Sequence, residues 1–292
     1  MTTKVELHPR NDHRDSYDFE ALIDAYAPLK AFVKPNKYGV HSINFFNPDA
    51  VKALNAALLA LYYNIQWWDI PASALTPPIP GRADYIHYAA DLVGSKAARC
   101  LDIGVGANCI YPIIGRAKYG WDFVGSDISK ESLTNAEKIV GKNEVLRGHV
   151  DLRLQNESSK IFNGIIRADD KFDITICNPP FHTSAESATK GSLRKLRGLK
   201  GGKGVRQDKV TLNFAGQSSE LWCEGGERGF IEQMINESKH FASQCGWFSS
   251  LVSSEDNLKP LKAALRTIQV KEYRVIDMYQ GNKRSRILAW RF

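Results

Sequence analysis

The sequence predicts an α/β protein: a mostly parallel, doubly wound sheet that closes in an antiparallel hairpin, preceded by a helical accessory region. Three observations lead there. From Arg99 onward, apolar runs of strand length alternate with stretches of helical period. Such alternation implies parallel strands joined by helices that cover both faces of the sheet. The last two β-like runs, Tyr273–Tyr279 and Ile287–Phe292, are separated only by Gln280–Arg286. That span is too short for a crossover helix, so the two runs should pair antiparallel. The first ninety-odd residues read instead as helices and loops, which places an accessory region at 1–95 and the sheet domain at 96–292.

Taken in order, the first helix signal is Asn47-Pro48-Asp49, a cap followed by proline in the first turn and an early acid. Leu54, Leu58, Leu61 and Tyr62 then recur at helical spacing up to Asn64. The passage Pro77-Pro78-Ile79-Pro80-Gly81-Arg82 reads as neither helix nor central strand. Asp84 is expected to cap a short helix through Tyr85, Tyr88 and Leu92 that stops at Gly94. Seven strands follow: Cys100–Val105, Phe123–Ile128, Val150–Leu154, Phe172–Cys177, Trp247–Val252 and the two closing runs. Helices are expected up to about Tyr119, up to Val140, around Phe230–Phe241 and over Leu258–Ile268. Lys190 to Arg206 fits neither pattern. It carries seven basic residues, five glycines and no acid, cannot bury a face, and reads as a mobile basic loop.

Composition narrows the classes. A hydrophobic share of 43% is ample for a core, which removes disorder as the default. No apolar stretch approaches the roughly 20 residues that span a bilayer, and the start lacks a signal peptide's apolar segment. The five cysteines (Cys100, Cys109, Cys177, Cys223, Cys245) are scattered without a CxxC pair, and the histidines show no ligand spacing. That pattern argues against a disulfide framework or a metal site and suits a reducing cytoplasm. The net charge of +7 is partly gathered in the 190–206 segment, where Lys190, Arg194, Lys195, Arg197, Lys200, Lys203 and Arg206 are candidates for nucleic-acid contact.

Two motifs carry chemistry. The first, Leu101-Asp102-Ile103-Gly104-Val105-Gly106, is an apolar strand running into a Gly-x-Gly turn before a helix. Glycines at Gly104 and Gly106 let the backbone approach a ligand, and Asp102 belongs to the same cofactor-binding candidate set. Asp127 ends the next strand, where an acid accepts hydrogen bonds from ribose hydroxyls. Nucleotide dehydrogenases share that arrangement, but the third glycine of their fingerprint is Cys109 here. Its absence favours S-adenosylmethionine, which has no phosphate, over a pyrophosphate-bearing cofactor. The second motif, Asn178-Pro179-Pro180-Phe181, follows a strand at the carboxyl edge, where doubly wound sheets bind ligands. Its prolines fix the backbone and leave carbonyls as acceptors. Asn178 and the Pro179 carbonyl can each accept one N–H of an exocyclic adenine amine, turning its lone pair toward a methyl donor. Phe181 offers a stacking face for an extruded base.

Lesser candidates are Arg82, for a methionine carboxylate or an ordinary ion pair, and Glu224-Gly225-Gly226-Glu227, for a pocket border or a plain helix start. Asn108 and Cys109 are expected in the pocket floor. Asn156, after the third strand, is either a neighbour of the cofactor's adenine ring or a plain loop asparagine. Cys177 reads as a buried strand residue rather than a nucleophile.

Over nearly its full length the chain resembles the bacterial 23S ribosomal RNA adenine-N6 methyltransferases, and more distantly the eukaryotic U6 small nuclear RNA adenine methyltransferases. The resemblance lies in His8–Asn11, Tyr17–Phe19, Pro77–His87 (PPIPGRADYIH), Leu101–Gly115 (LDIGVGANCIYPIIG), Asn178–Phe181, Gly225–Glu227 and Ser285–Phe292 (SRILAWRF). It implies a Rossmann-like class I methyltransferase with a seven-stranded sheet that uses S-adenosylmethionine, without a metal, on one adenine of large-subunit rRNA. It further implies that Arg82, Gly104 and Asp127 hold the cofactor, that Asn178 stands where cofactor and amine meet, and that Phe181 stacks on the base. Thr76 stands where the family is expected to have cysteine, away from this chemistry. The substrate would be 23S rRNA or a large-subunit assembly intermediate, and nothing in the sequence demands more than a monomer. The alternatives are methylation of DNA adenine or of a protein glutamine by the same turn, a nicotinamide oxidoreductase, and a silent RNA-binding module. The basic loop speaks against a protein substrate, and the resemblance speaks against DNA.

Overall fold

In the computed structural model, which describes residues 7–94, 97–180, 223–280 and 283–292, seven strands form one sheet. They are β1 (Arg99–Ile103), β2 (Asp122–Asp127), β3 (Val150–Leu154), β4 (Phe172–Cys177), β5 (Cys245–Val252), β6 (Glu272–Gln280) and β7 (Lys283–Arg291). Their spatial order is β3-β2-β1-β4-β5-β7-β6. Strands β1 to β5 run parallel, and β7 lies antiparallel between β5 and β6. Strand order reverses at β1, with β2 added on one side and β4 on the other, so a crevice opens between the carboxyl ends of β1 and β4. The register sharpens this placement. Ile103 pairs with Ser126 on one side and with Cys177 on the other, so the residues after each leave the sheet together.

The described helices are α1 (Phe19–Ala25), α2 (Pro48–Tyr63), α3 (Ile79–Val93), α4 (Ile110–Tyr119), α5 (Lys130–Lys142), α6 (Gly226–Ser238) and α7 (Leu258–Thr267). Successive strand residues point to opposite faces. Cys100, Ile174 and Ile176 pack with Ile113, Ile114, Ala136 and Ile139 under α4 and α5. Leu101, Ile103 and Val124 pack with Ile231, Met234, Leu261 and Leu265 under α6 and α7. Leu22, Leu58, Leu59 and Ile86 join the first of these cores, so α1 to α3 share buried apolar surface with the sheet. Truncating one such fully buried leucine to alanine costs about 2–5 kcal/mol.

Most boundaries fall near their expected places, and α2 agrees in detail. Asn47 accepts from the Asp49 amide, and Asn64 ends the helix in the left-handed region at φ 56°. The passage Ile79–Arg82 corrects the sequence reading, because it is the first turn of α3, with proline at its start. A proline there loses no helical hydrogen bond, since first-turn amides have no partner in the helix. Asp84 is therefore not a cap. It lies inside α3, buried, and accepts from the His8 amide at 2.9 Å and the Asn11 side chain at 2.5 Å, fastening the N-terminal segment. Strand β1 ends at Ile103, two residues earlier than expected, because Gly104 and Val105 already form the turn. Three elements before α2 had no separate sequence assignment: α1, capped by Asp18, a 3-10 turn over Ala27–Phe32, and a ribbon of Lys34–Pro35 against His41–Ser42.

Candidate active site

The glycine turn is built from local backbone demands. Gly104 and Gly106 have φ of 75° and 65°, a region that L side chains avoid. The amides of Gly104 and Val105 both donate to the Ser126 carbonyl, at 2.8 and 2.9 Å, which laces the turn to the end of β2. Cys109, buried in the third-glycine position, also adopts positive φ, 53°, and leads directly into α4. Asn108 accepts from the Ile110 amide at 3.1 Å, while its carbonyl accepts from the Trp68 indole at 2.9 Å. Asn135 of α5 bridges the carbonyls of Ala107 and Asp69. Trp68 and Asp69, which precede the sheet in the chain, thus help to fix this turn.

Asp127 stands beside it, partly buried. Its carboxylate accepts from the Gly106 amide at 2.9 Å and the Ser129 amide at 2.8 Å. Burial raises its carboxyl above the ordinary range, and those backbone donors oppose the shift. A carboxylate has about four acceptor sites, so these backbone donors leave room for a hydroxyl. The next residue, Ile128, is 46% exposed, and Leu154, the β3 register partner of Asp127, is 37% exposed. An apolar lip therefore borders the acid. Asn156 stands exposed just beyond β3.

Asp102 is the anomaly of the site. It is fully buried, and neither carboxylate oxygen has a hydrogen-bond partner among the described residues. Burial, and then the negative charge of Asp127, push its carboxyl well up, while the Arg82 guanidinium pulls in the opposite direction. A carboxylate without donors is costly to bury, so the geometry suits an arriving cationic donor. Arg82 donates to the Tyr111 hydroxyl at 2.9 Å and has no ion-pair partner among the described residues.

Asn178 leaves β4 directly beside the glycine turn, because Cys177 is the register partner of Ile103. Its side-chain oxygen is buried without a partner among the described residues. The backbone behind it is held in an unusual way. The β4–β5 register runs to Thr175 opposite Phe248, and beyond that point a tyrosine from α3 takes over. The Tyr85 hydroxyl accepts from the Cys177 amide at 3.3 Å and shares a hydrogen bond with Ser249 Oγ at 2.9 Å. Ser249 Oγ in turn donates to the Thr175 carbonyl at 2.7 Å. The serine proton is thereby committed, so the tyrosine proton goes to Ser249 and the tyrosine oxygen is left to accept from Cys177. The Tyr85 ring packs edge-on against Tyr111 at 5.4 Å, linking Arg82 to the root of the Asn-Pro-Pro turn.

Sequence reasoning passed over Tyr85 and Tyr111. The available signal was the i, i+3 spacing of Arg82 and Tyr85, which puts both on one helix face. It also left the role of Glu227 open. That residue is buried and accepts from the Ser253 amide at 2.6 Å, the Ser254 amide at 3.3 Å and the Asn257 side chain at 2.6 Å. It fastens the exit of β5 to the start of α6. Cys177 is buried with its thiol pushed well up by burial, as suits a strand residue. Phe181 and the basic segment 190–206, with Lys190, Arg194, Lys195, Arg197, Lys200, Lys203 and Arg206, lie outside the described residues. Among the described residues no group of three His, Cys, Asp or Glu could hold a metal ion, and no helix is long and apolar enough to cross a membrane.

A sheet of this order, with a glycine turn leaving β1 and an Asn-Pro-Pro turn leaving β4, defines a class I methyltransferase. The chain matches the profile of an RNA methyltransferase family over residues 1–292, and it belongs to that family. It is 55% identical to the ribosomal RNA large subunit methyltransferase F of Bacteroides thetaiotaomicron, over 100% of this chain and 99% of the relative. Among solved structures it is similar to the human METTL16 catalytic domain in complex with the MAT2A 3'UTR hairpin 1. That likeness has a TM-score of 0.82 and 30% identity over 98% of this chain and 96% of the other. It is also similar to the N-terminal domain of human METTL16 in complex with SAH, with a TM-score of 0.77 and 28% identity over 98% of each chain.

Proposed function

We propose that this RNA methyltransferase transfers a methyl group from S-adenosylmethionine to N6 of one adenine in 23S ribosomal RNA. The observation that carries the reading is the side-by-side exit of two unsatisfied sites from β1 and β4. Among the described residues, buried Asp102 lacks donors on one strand and the buried Asn178 oxygen lacks a donor on the other. The first suits the ammonium of a methionine moiety and the second suits an amine N–H. The fit to the cofactor rests on these atoms, on the Arg82 guanidinium, which has no ion-pair partner among the described residues, and on the apolar lip beside Asp127. When bound, S-adenosylmethionine supplies an electrophilic methyl group.

The chain's own residues do the positioning. Arg82 takes the methionine carboxylate and Asp102 the ammonium. Gly104 and Gly106 keep the approach open, Asp127 accepts ribose hydroxyls, and Ile128 covers one side of the adenine ring, with Asn156 at its rim. Asn178 and the Pro179 carbonyl hold the two N–H groups of the target amine, and Phe181 stacks on the extruded base. Catalysis is then mostly orientation and fixed dipoles, with no strongly basic side chain needed. The accessory region 1–95 and the basic segment 190–206 grip the RNA. The enzyme works as a cytoplasmic monomer on naked rRNA or on an assembly intermediate. The names of the relatives support the substrate class, and the METTL16 complex with SAH supports the cofactor.

The test is methyl transfer from labelled S-adenosylmethionine to naked large-subunit rRNA from cells lacking the enzyme, beside DNA and total protein, followed by nucleoside mass spectrometry. The expected product is N6-methyladenosine in RNA alone. Label in DNA or protein would overturn the substrate, and another methylated nucleoside would overturn the site of transfer.

A further inference from the structure

The accessory region carries an exposed aromatic platform that neither the fold nor the proposed chemistry requires. Seven large apolar side chains are conspicuously exposed among the described residues, and four of them fall within nine positions: Tyr38 at 76%, Val40, Phe45 at 57% and Phe46. Large apolar side chains exposed this close together along the chain supply the material of a contact surface. These side chains stand on ordered backbone. The ribbon pairs Lys34 with Ser42 and Pro35 with His41. At its tip the Asn36 side chain accepts from the amides of Tyr38 and Val40, at 2.8 and 3.1 Å, and the Gly39 amide donates to the Asn36 carbonyl. A second turn follows, in which Asn44 accepts from the Phe46 amide and its carbonyl accepts from the Asn47 amide. The two turns hold their aromatics out before binding, so little ordering remains to be done when a partner arrives.

Charge identifies the partner. Residues 25–48 contain no acid and carry Lys30, Lys34, Lys37 and His41. The Lys37 ammonium sits 4.8 Å from the Tyr38 ring centroid. Exposed rings interleaved with lysines are the pattern that stacks unpaired bases while neutralising their phosphates.

Helix α2 gives the position. At its start, Lys52 reaches the Ile70 carbonyl, and the neighbouring Asp69 carbonyl is held by Asn135, which also holds Ala107 of the glycine turn. After its far end, the amides of Gln66 and Trp67 reach Asn143 at the end of α5. Helix α5 begins next to the carboxyl end of β2 and runs away from it, so α2 starts at the sheet's carboxyl edge and ends at the opposite edge. The Asn44 turn runs directly into the start of α2 and so lies toward the edge that carries the glycine and Asn-Pro-Pro turns, and the ribbon joins that turn through Ile43.

We infer that Tyr38 and Phe45, with Lys34 and Lys37, form a stacking platform for single-stranded nucleotides flanking the target adenine. The inference rests on the RNA reading above. An adenine drawn out of its stack to reach Asn178 leaves unstacked neighbours, and the platform stands ready to receive them.

The experiment uses the full chain and a fluorescein-labelled 12-nucleotide single-stranded RNA with one central adenine, followed by anisotropy. Tyr38→Ala/Phe45→Ala should bind it at least tenfold more weakly and raise KM for naked rRNA in step. Its melting temperature and its affinity for S-adenosylhomocysteine should stay those of the wild type. Tyr38→Trp should keep the affinity, and its added indole emission should be quenched as the RNA is titrated in. Unchanged RNA affinity in the double alanine variant, or an indole blind to RNA, would overturn the platform and point to a protein occupant. A wild-type chain that binds no RNA at all would remove the RNA reading itself, and the platform with it.

Discussion

Replacing Tyr85 by phenylalanine removes one oxygen from the centre of the site and leaves the packing in place. In the wild type that oxygen accepts from the Cys177 amide and donates to Ser249, and it is fully buried. The variant leaves the Cys177 N–H buried without an acceptor, which costs about 1–3 kcal/mol. In a chain of 292 residues that lowers the melting temperature by roughly 2–5 °C. The orphaned amide is adjacent to Asn178, so relaxation of the β4 end moves the acceptor that holds the target amine. About 1.4 kcal/mol lost from that orientation slows turnover roughly tenfold. The assay is the single-turnover rate at saturating S-adenosylmethionine and RNA, with S-adenosylhomocysteine affinity measured by calorimetry. We expect the rate to fall about tenfold or more while the affinity changes by less than threefold. Because Ser249 belongs to the same network, the Tyr85→Phe/Ser249→Ala double variant should cost less than the sum of the two single changes. A melting temperature that falls while the rate stays within twofold would refute the reasoning and leave Tyr85 a purely structural residue.

Two further substitutions probe the groups on either side. Asp102 has its carboxyl raised in the folded chain, so the fold binds that proton more tightly than the unfolded chain does, and ligand-free stability falls as pH rises from the ordinary carboxylate range toward the raised value. Asp102→Asn should therefore melt higher than the wild type at neutral pH while binding S-adenosylhomocysteine at least tenfold more weakly; a lower melting temperature with unchanged affinity would contradict this. Glu227→Gln replaces one acceptor oxygen of a buried carboxylate that holds three donors, and should cost about 2–3 kcal/mol of stability. An unchanged urea midpoint would show that the loop after β5 holds itself.

What could be read from the sequence is local. The strands of the sheet announce themselves as apolar runs, α2 through the Asn47 cap, and the cofactor turn through the spacing of Gly104, Gly106 and Asp127. The exit of α3 at Gly94 is equally visible, but its start is not, because Pro80 reads as a helix breaker in sequence and is harmless in a first turn. The hidden parts are held by contacts distant along the chain. Tyr85 meets Cys177 92 residues away, and Glu227 meets Ser253 26 residues away. No periodicity encodes such pairs. The lack of donors around Asp102 among the described residues is likewise visible only in the folded chain. The ribbon escaped because strands of two residues leave no alternation to detect.

The central claim is that the Asn-Pro-Pro turn orients the amine that receives the methyl group. Asn178→Ala tests it most directly, by single-turnover methyl transfer to rRNA with S-adenosylhomocysteine affinity measured on the same preparation. The account predicts a fall of about 10²–10³ in rate, the size expected for one lost transition-state dipole, with the affinity changed by only a few fold. A rate within threefold of the wild type would contradict it.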